Sequence, residues 1–240
     1  MTPIVEIRSG VELPARREEI SFTTADGLVL VGELALPADR EPSATLITFH
    51  PLPTHGGFMD SHIYRKAANR LPALADIAVL RFNTRGTSSP RGTSAGSFGE
   101  GVAEVADVEA AINFAMARRL PNLWVVGWSF GTELALKYCT DQPILGVILL
   151  SPPLHRTSAQ ELSRWSGNGK QVIVLVPELD DYLRPTEATE RFSVVTQAQV
   201  IGVEGAKHLW VGESATKRVL NEIVKVVNPA KFPLPEEVEL

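Results

Sequence analysis

The sequence predicts an α/β architecture: a mostly parallel central sheet, covered by helices on both faces and entered through an N-terminal β-hairpin. Two observations carry this. Short apolar runs of four to seven residues alternate along the chain with longer stretches of helical period, and such runs suit strands buried on both faces. The alternation itself implies right-handed crossovers between parallel strands. The 240 residues are 44% hydrophobic and 21% charged, a balance that supports a sizeable core and excludes disorder, collagen-like structure and coiled coil.

Taken in order, Ile20 to Thr23, the turn signal Asp26-Gly27, and Leu28 to Leu36 closing at Pro37 read as the hairpin. Thr45 to Phe49, Ile77 to Phe82, Leu123 to Val126, Ile144 to Leu150, Val172 to Val176 and Val200 to Val203 supply the core strands. Ile63, Ala67 and Leu71 recur at helical spacing, as do Val105, Val108, Ile112 and Ala115, and later Leu220, Ile223, Val224 and Val227. No repeat or linker interrupts the pattern, so residues 1–227 read as a single domain. Thr84 to Gly101, rich in Gly and Ser, is a loop by composition. Residues 228–240 form a Pro-bearing acidic tail, for which a free end and a docked arm both stay open.

Lys and Arg total 23 against 28 Asp and Glu, a net charge of -5 with no basic block. That leaves no electrostatic footprint for nucleic acid and disfavours an anionic membrane surface. The longest apolar run, Ile144 to Leu150, is interrupted by Gly146 and falls far short of the roughly 20 residues of a membrane helix. Glu6, Arg8 and Glu12 break the stretch where a signal peptide would be apolar. A cytoplasmic, unanchored protein is expected. The single cysteine, Cys139, permits no intramolecular disulfide, fits a reducing compartment and reads as packing.

Open α/β sheets bind ligands at the carboxyl ends of their strands. The run Leu123 to Val126 leads into Gly127-Trp128-Ser129-Phe130-Gly131 and then a helix-compatible stretch. This GxSxG pattern suits a turn so sharp that the serine is strained, with glycines removing the Cβ atoms that would clash. Gly92 to Gly96, around Ser94, matches the same pattern but lacks a preceding strand, which selects Ser129.

A serine hydroxyl needs a base, and the base needs an orienting carboxylate. Of the five histidines, only His208 follows both Ser129 and a plausible acid. The acid is Asp180, with its neighbour Asp181 the alternative, both in the loop after Val172 to Val176. Oxyanion donors are expected from the N–H of Phe130 and from Leu52, whose N–H is free between Pro51 and Pro53.

These residues resemble the α/β-hydrolase superfamily, and within it compact bacterial serine hydrolases without a cap domain. The resemblance rests on the HPxPxxGGxM segment His50 to Met59, Arg85-Gly86, the elbow Gly127 to Gly131, Pro177 to Asp180 and Gly205 to His208. It implies a catalytic triad of Ser129, Asp180 and His208. Three positions depart from the common pattern: Asn83 stands where many relatives have Asp, Pro177 replaces a Gly, and His50-Pro51 replaces HG.

Ser151 to Gln171 is too short for a cap domain, so an open cleft for small or extended acyl groups is expected. Phe58, Met59, Trp128, Leu209 and Trp210 flank the catalytic loops as candidate substrate-binding residues, and Trp165 is placed across the mouth. Ordinary core packing is the favoured reading for each, as it is for most large apolar side chains. Neither HExxH nor a GxGxxG after the first core strand is present, so no metal and no cofactor is expected. The expected partner is a small-molecule ester, cleaved by a carboxylesterase-type serine hydrolase. An amidase or peptidase with the same triad and a non-catalytic binding protein are the alternatives; the oligomeric state stays open.

Overall fold

The computed structural model describes residues 4–239. The first half of the chain contains β1 (Ile4–Glu6), β2 (Arg16–Thr23), β3 (Val29–Leu36), β4 (Ala44–Phe49), α1 (His62–Ala75), β5 (Ile77–Phe82), β6 (Ser88–Ser89), β7 (Gly92–Thr93) and α2 (Val105–Ala117). The second half contains β8 (Leu123–Trp128), α3 (Phe130–Tyr138), β9 (Gly146–Leu150), α4 (Ala159–Ser163), β10 (Gln171–Pro177), α5 (Pro185–Phe192), β11 (Ala198–Val203), α6 (Glu213–Val227) and β12 (Glu237–Glu239). Eight strands form one sheet in the order β11-β10-β9-β8-β4-β5-β3-β2. The six from β11 to β5 run parallel, while β3 pairs antiparallel with β5 and β2 with β3. From β4 the chain passes to β5 on one side, then returns to β8 on the other. Connections diverge there, which opens a crevice at the carboxyl ends of β4 and β8.

Every residue of β4, β5 and β8 is buried, because helices cover both faces. Alternate side chains divide between two cores. Ile47, Val125 and Leu149 pack with Ile112 and Leu134 from α2 and α3, whereas Leu46, Val126 and Ile148 pack with Ile63, Leu71, Leu220 and Ile223 from α1 and α6. Each such fully buried aliphatic side chain contributes about 1.5–3 kcal/mol relative to exposure.

The hairpin is longer than its apolar pattern predicts. β2 begins at Arg16, and its charged stretch Arg16 to Glu19 pairs with Leu36 to Glu33; as an edge strand it tolerates charges that a central strand would not. The acidic tail is a docked arm. β12 pairs antiparallel with β1, and Leu234 is buried against the α6 side of the core while its N–H donates to Asn221 Oδ1 at 2.8 Å. Among the described residues no helix is long and apolar enough to cross a membrane.

Candidate active site

Ser129 ends the turn between β8 and α3 with φ 52° and ψ -116°, a left-handed backbone that costs an L-residue energy. Glycine on either side makes the turn possible. A Cβ on Gly131 would lie 1.9 Å from the Phe49 carbonyl oxygen, and one on Gly127 would lie 2.5 Å from the Gly131 oxygen. The elbow is held from below by the Ser129 N–H, which donates to Leu150 O at 2.9 Å.

His208 reaches Ser129 from the loop between β11 and α6, with Nε2 and Oγ 2.9 Å apart. Its Nδ1–H donates to Asp180 Oδ2 at 2.9 Å. That bond fixes the tautomer, leaving Nε2 free to accept the serine proton. The second Asp180 oxygen accepts the N–H groups of Tyr182 at 2.9 Å and Leu183 at 3.3 Å. Burial alone would raise the Asp180 carboxyl, but the bonds from His208, Tyr182 and Leu183 outweigh it and hold the group below its ordinary value. Asp181 is exposed, so of the two neighbouring acids Asp180 is the one joined to His208. The His208 carbonyl is itself clamped, accepting from Trp128 Nε1 at 3.2 Å and Ser151 Oγ at 3.1 Å.

The loop after β4 winds tightly beside the elbow. His55 N–H and Gly57 N–H both donate to Leu52 O at 3.0 Å, while the Leu52 N–H has no backbone acceptor among the described residues. Phe130, the first residue of α3, likewise has an N–H that the helix cannot satisfy. His50 fastens the loop: its Nδ1–H donates to Pro51 O at 2.7 Å and its Nε2 accepts the Thr84 N–H at 3.0 Å. Burial lowers the His50 imidazole to about 4 despite the Pro51 carbonyl.

Beside Ser129 lies a cleft of about 300 Å³, lined by Leu52, Phe130, His155, Tyr182 and Leu209 among others. Several side chains expected there lie elsewhere. Met59, Trp128, Trp165 and Trp210 are buried in the cores, and half-buried Phe58 does not line the cleft. The reasons are specific. The Trp165 indole packs inward and donates to Leu136 O at 2.9 Å; Trp128 and Trp210 belong to the core beneath α1 and α6; the Met59 N–H is committed to Asn83 Oδ1 at 3.0 Å. Of the six, Leu209 lies on the cleft wall, 55% exposed.

Pro153, His155 and Arg156, which follow β9, and Tyr182, which follows the acid by two residues, line the cleft without having been expected there. The Tyr182 ring stands edge-on to His208 at 4.6 Å and to His155 at 5.5 Å. Their positions just past strand carboxyl ends were the available signal. The competing serine, Ser94, is buried and structural: its hydroxyl donates to Asn83 O at 2.7 Å and accepts the Val31 N–H at 2.9 Å. Among the described residues no three His, Cys, Asp or Glu side chains converge as a metal site would require.

Residues 54–180 match the α/β hydrolase fold family. An uncharacterized protein of Rickettsia prowazekii is 31% identical over 129 residues, a match spanning about half of each chain (51% and 51%). An α/β serine hydrolase without a lid from Xanthomonas campestris superposes with a TM-score of 0.69 at 23% identity, covering 93% of this chain and 99% of that one. An α/β serine hydrolase homologue from Coxiella burnetii gives 0.70 at 22% identity, over 89% and 96%. A Pyrococcus furiosus esterase gives 0.68 at 17% identity, over 85% and 90%. With the parallel sheet, the strained serine turn and the family match over more than half its length, the chain belongs to the α/β hydrolase fold family.

Proposed function

We propose that this protein is a serine hydrolase of carboxylesterase type, cleaving esters of small or extended acyl groups through an acyl-enzyme. The observation that carries the reading is the unbroken relay from Ser129 Oγ through His208 to Asp180, each link 2.9 Å, at a strained elbow beside an open cleft. Ser129 Oγ attacks the ester carbonyl while His208 Nε2 takes its proton. The tetrahedral oxyanion is held by the N–H groups of Leu52 and Phe130. Collapse breaks the bond to the alcohol, which leaves with the proton from His208. Water then attacks the acyl-enzyme, His208 again taking and returning a proton, and releases the acid. Asp180 stays ionised throughout and steadies the imidazolium.

Ser129→Ala should lower turnover of a short p-nitrophenyl ester by about 10⁴-fold or more and abolish labelling by a fluorophosphonate. Full retention of either activity or labelling would overturn the assignment.

A further inference from the structure

Two residues of fixed charge line the cleft, Glu133 and Arg156, and they are placed differently. The Glu133 side chain is only 1% exposed, whereas 34% of the Arg156 side chain meets solvent. Glu133 is held from behind, one oxygen accepting the main-chain N–H of Arg156. The Arg156 guanidinium adds one contact, Nη1 to Oε2 at 3.4 Å, longer than the paired bonds an Arg makes when committed to a carboxylate. Arg85 shows such commitment in this same chain, giving Nε at 3.0 Å and Nη2 at 2.8 Å to Asp107 and Nη1 at 2.9 Å to Asp26.

Arg156 therefore keeps donors in reserve, and it holds them over the ring of Phe130, 5.6 Å from the centroid, next in sequence to Ser129. The other ionisable side chains on the cleft are the imidazoles of His55, His155 and His208 and the phenol of Tyr182. None of these is a carboxylate. The accessible charge of the cleft is thus that of a planar guanidinium, suited to bidentate recognition of an anion.

Resting on the hydrolase reading above, we propose that the preferred substrate is an ester carrying a carboxylate or similar anion, and that Arg156 is the residue that selects it. The anion sits on the acyl or the alcohol side of the scissile bond, and two substrate pairs separate these cases. The p-nitrophenyl half-ester of glutaric acid against p-nitrophenyl pentanoate reports the acyl side; 4-acetoxybenzoate against 4-acetoxybenzamide reports the alcohol side.

In at least one pair the wild type should favour the anionic member. In Arg156→Met the anionic-to-neutral ratio of kcat/KM should fall by about tenfold to a hundredfold, as expected for losing a charge-assisted hydrogen bond, and Arg156→Lys should restore part of it. Where Arg156→Met fails to fold because Glu133 loses its partner, the Glu133→Gln/Arg156→Met double variant reads the same ratio. An unchanged ratio in both pairs overturns the proposal. Calorimetric titration of glutarate into the Ser129→Ala protein separates the two readings. Binding there that is lost with Arg156→Met, alongside a wild type that turns over no ester, removes the hydrolase reading and leaves the anion site standing. Ester turnover with neither anion preference nor binding does the reverse.

Discussion

Gly56 and Gly57 are neighbours in sequence with opposite sensitivities. A Cβ at Gly57 would meet Pro51 O at 2.0 Å and Leu52 N at 2.9 Å, while one at Gly56 meets nothing within 4 Å. Gly57→Ala should distort the turn that positions the Leu52 N–H and lower kcat by about a hundredfold, the usual loss of one oxyanion donor, with the far-ultraviolet spectrum unchanged. Gly56→Ala, at φ 79°, should cost only about 1–2 kcal/mol in urea unfolding. Single residues also explain what the sequence hid. Ser129, Asp180 and His208 were legible because strand ends, chain order and chemistry all constrain them. Trp165 and Trp210 take the core-packing reading and not the cleft one, a choice that adjacency to a loop leaves open because it does not say which side of the backbone a side chain takes. Asn83 illustrates a departure that the structure explains: its amide nitrogen donates to Ser89 Oγ at 2.9 Å and Gly92 O at 3.2 Å, which a carboxylate has no hydrogens to do.

At the scale of elements, His50 links the exit of β4 to Thr84 beyond β5. Its folded-state pKa of about 4 lies below the ordinary histidine value of 6.5, so folding favours the neutral ring. The stabilisation is complete above the unfolded value and is lost as pH falls from about 6.5 towards 4, by up to about 3 kcal/mol. Urea unfolding at pH 7 and at pH 4.5 should show that loss in the wild type and a flatter dependence in His50→Gln. Equal slopes for the two proteins would contradict it. Core strands and the longest helices were readable here because burial on both faces leaves continuous apolar runs. β2 was only half readable, since its edge position lets Arg16 to Glu19 carry charge while still pairing. α5 escaped because Ala188 and Phe192 are its only buried residues, too few for a period to show.

For the whole molecule, the switch in strand order at β4 and β8 creates the cleft, and the docked arm closes the chain on itself. The arm was undecidable from composition, because one buried leucine and a three-residue strand pair leave almost no pattern. Leu234→Ala should cost about 2–3 kcal/mol of unfolding free energy, at the lower end for a buried leucine because 7% of it meets solvent. A midpoint unchanged in urea would show that the arm adds nothing. Cys139, fully buried with its thiol pushed up by desolvation, takes no part in this and stays chemically quiet. The close seating of Gly131 on the Phe49 carbonyl reaches further. It seats the start of α3 directly on the end of β4, so any side chain at position 131 would part the turn that carries Ser129 from the strand that leads into the Leu52 loop.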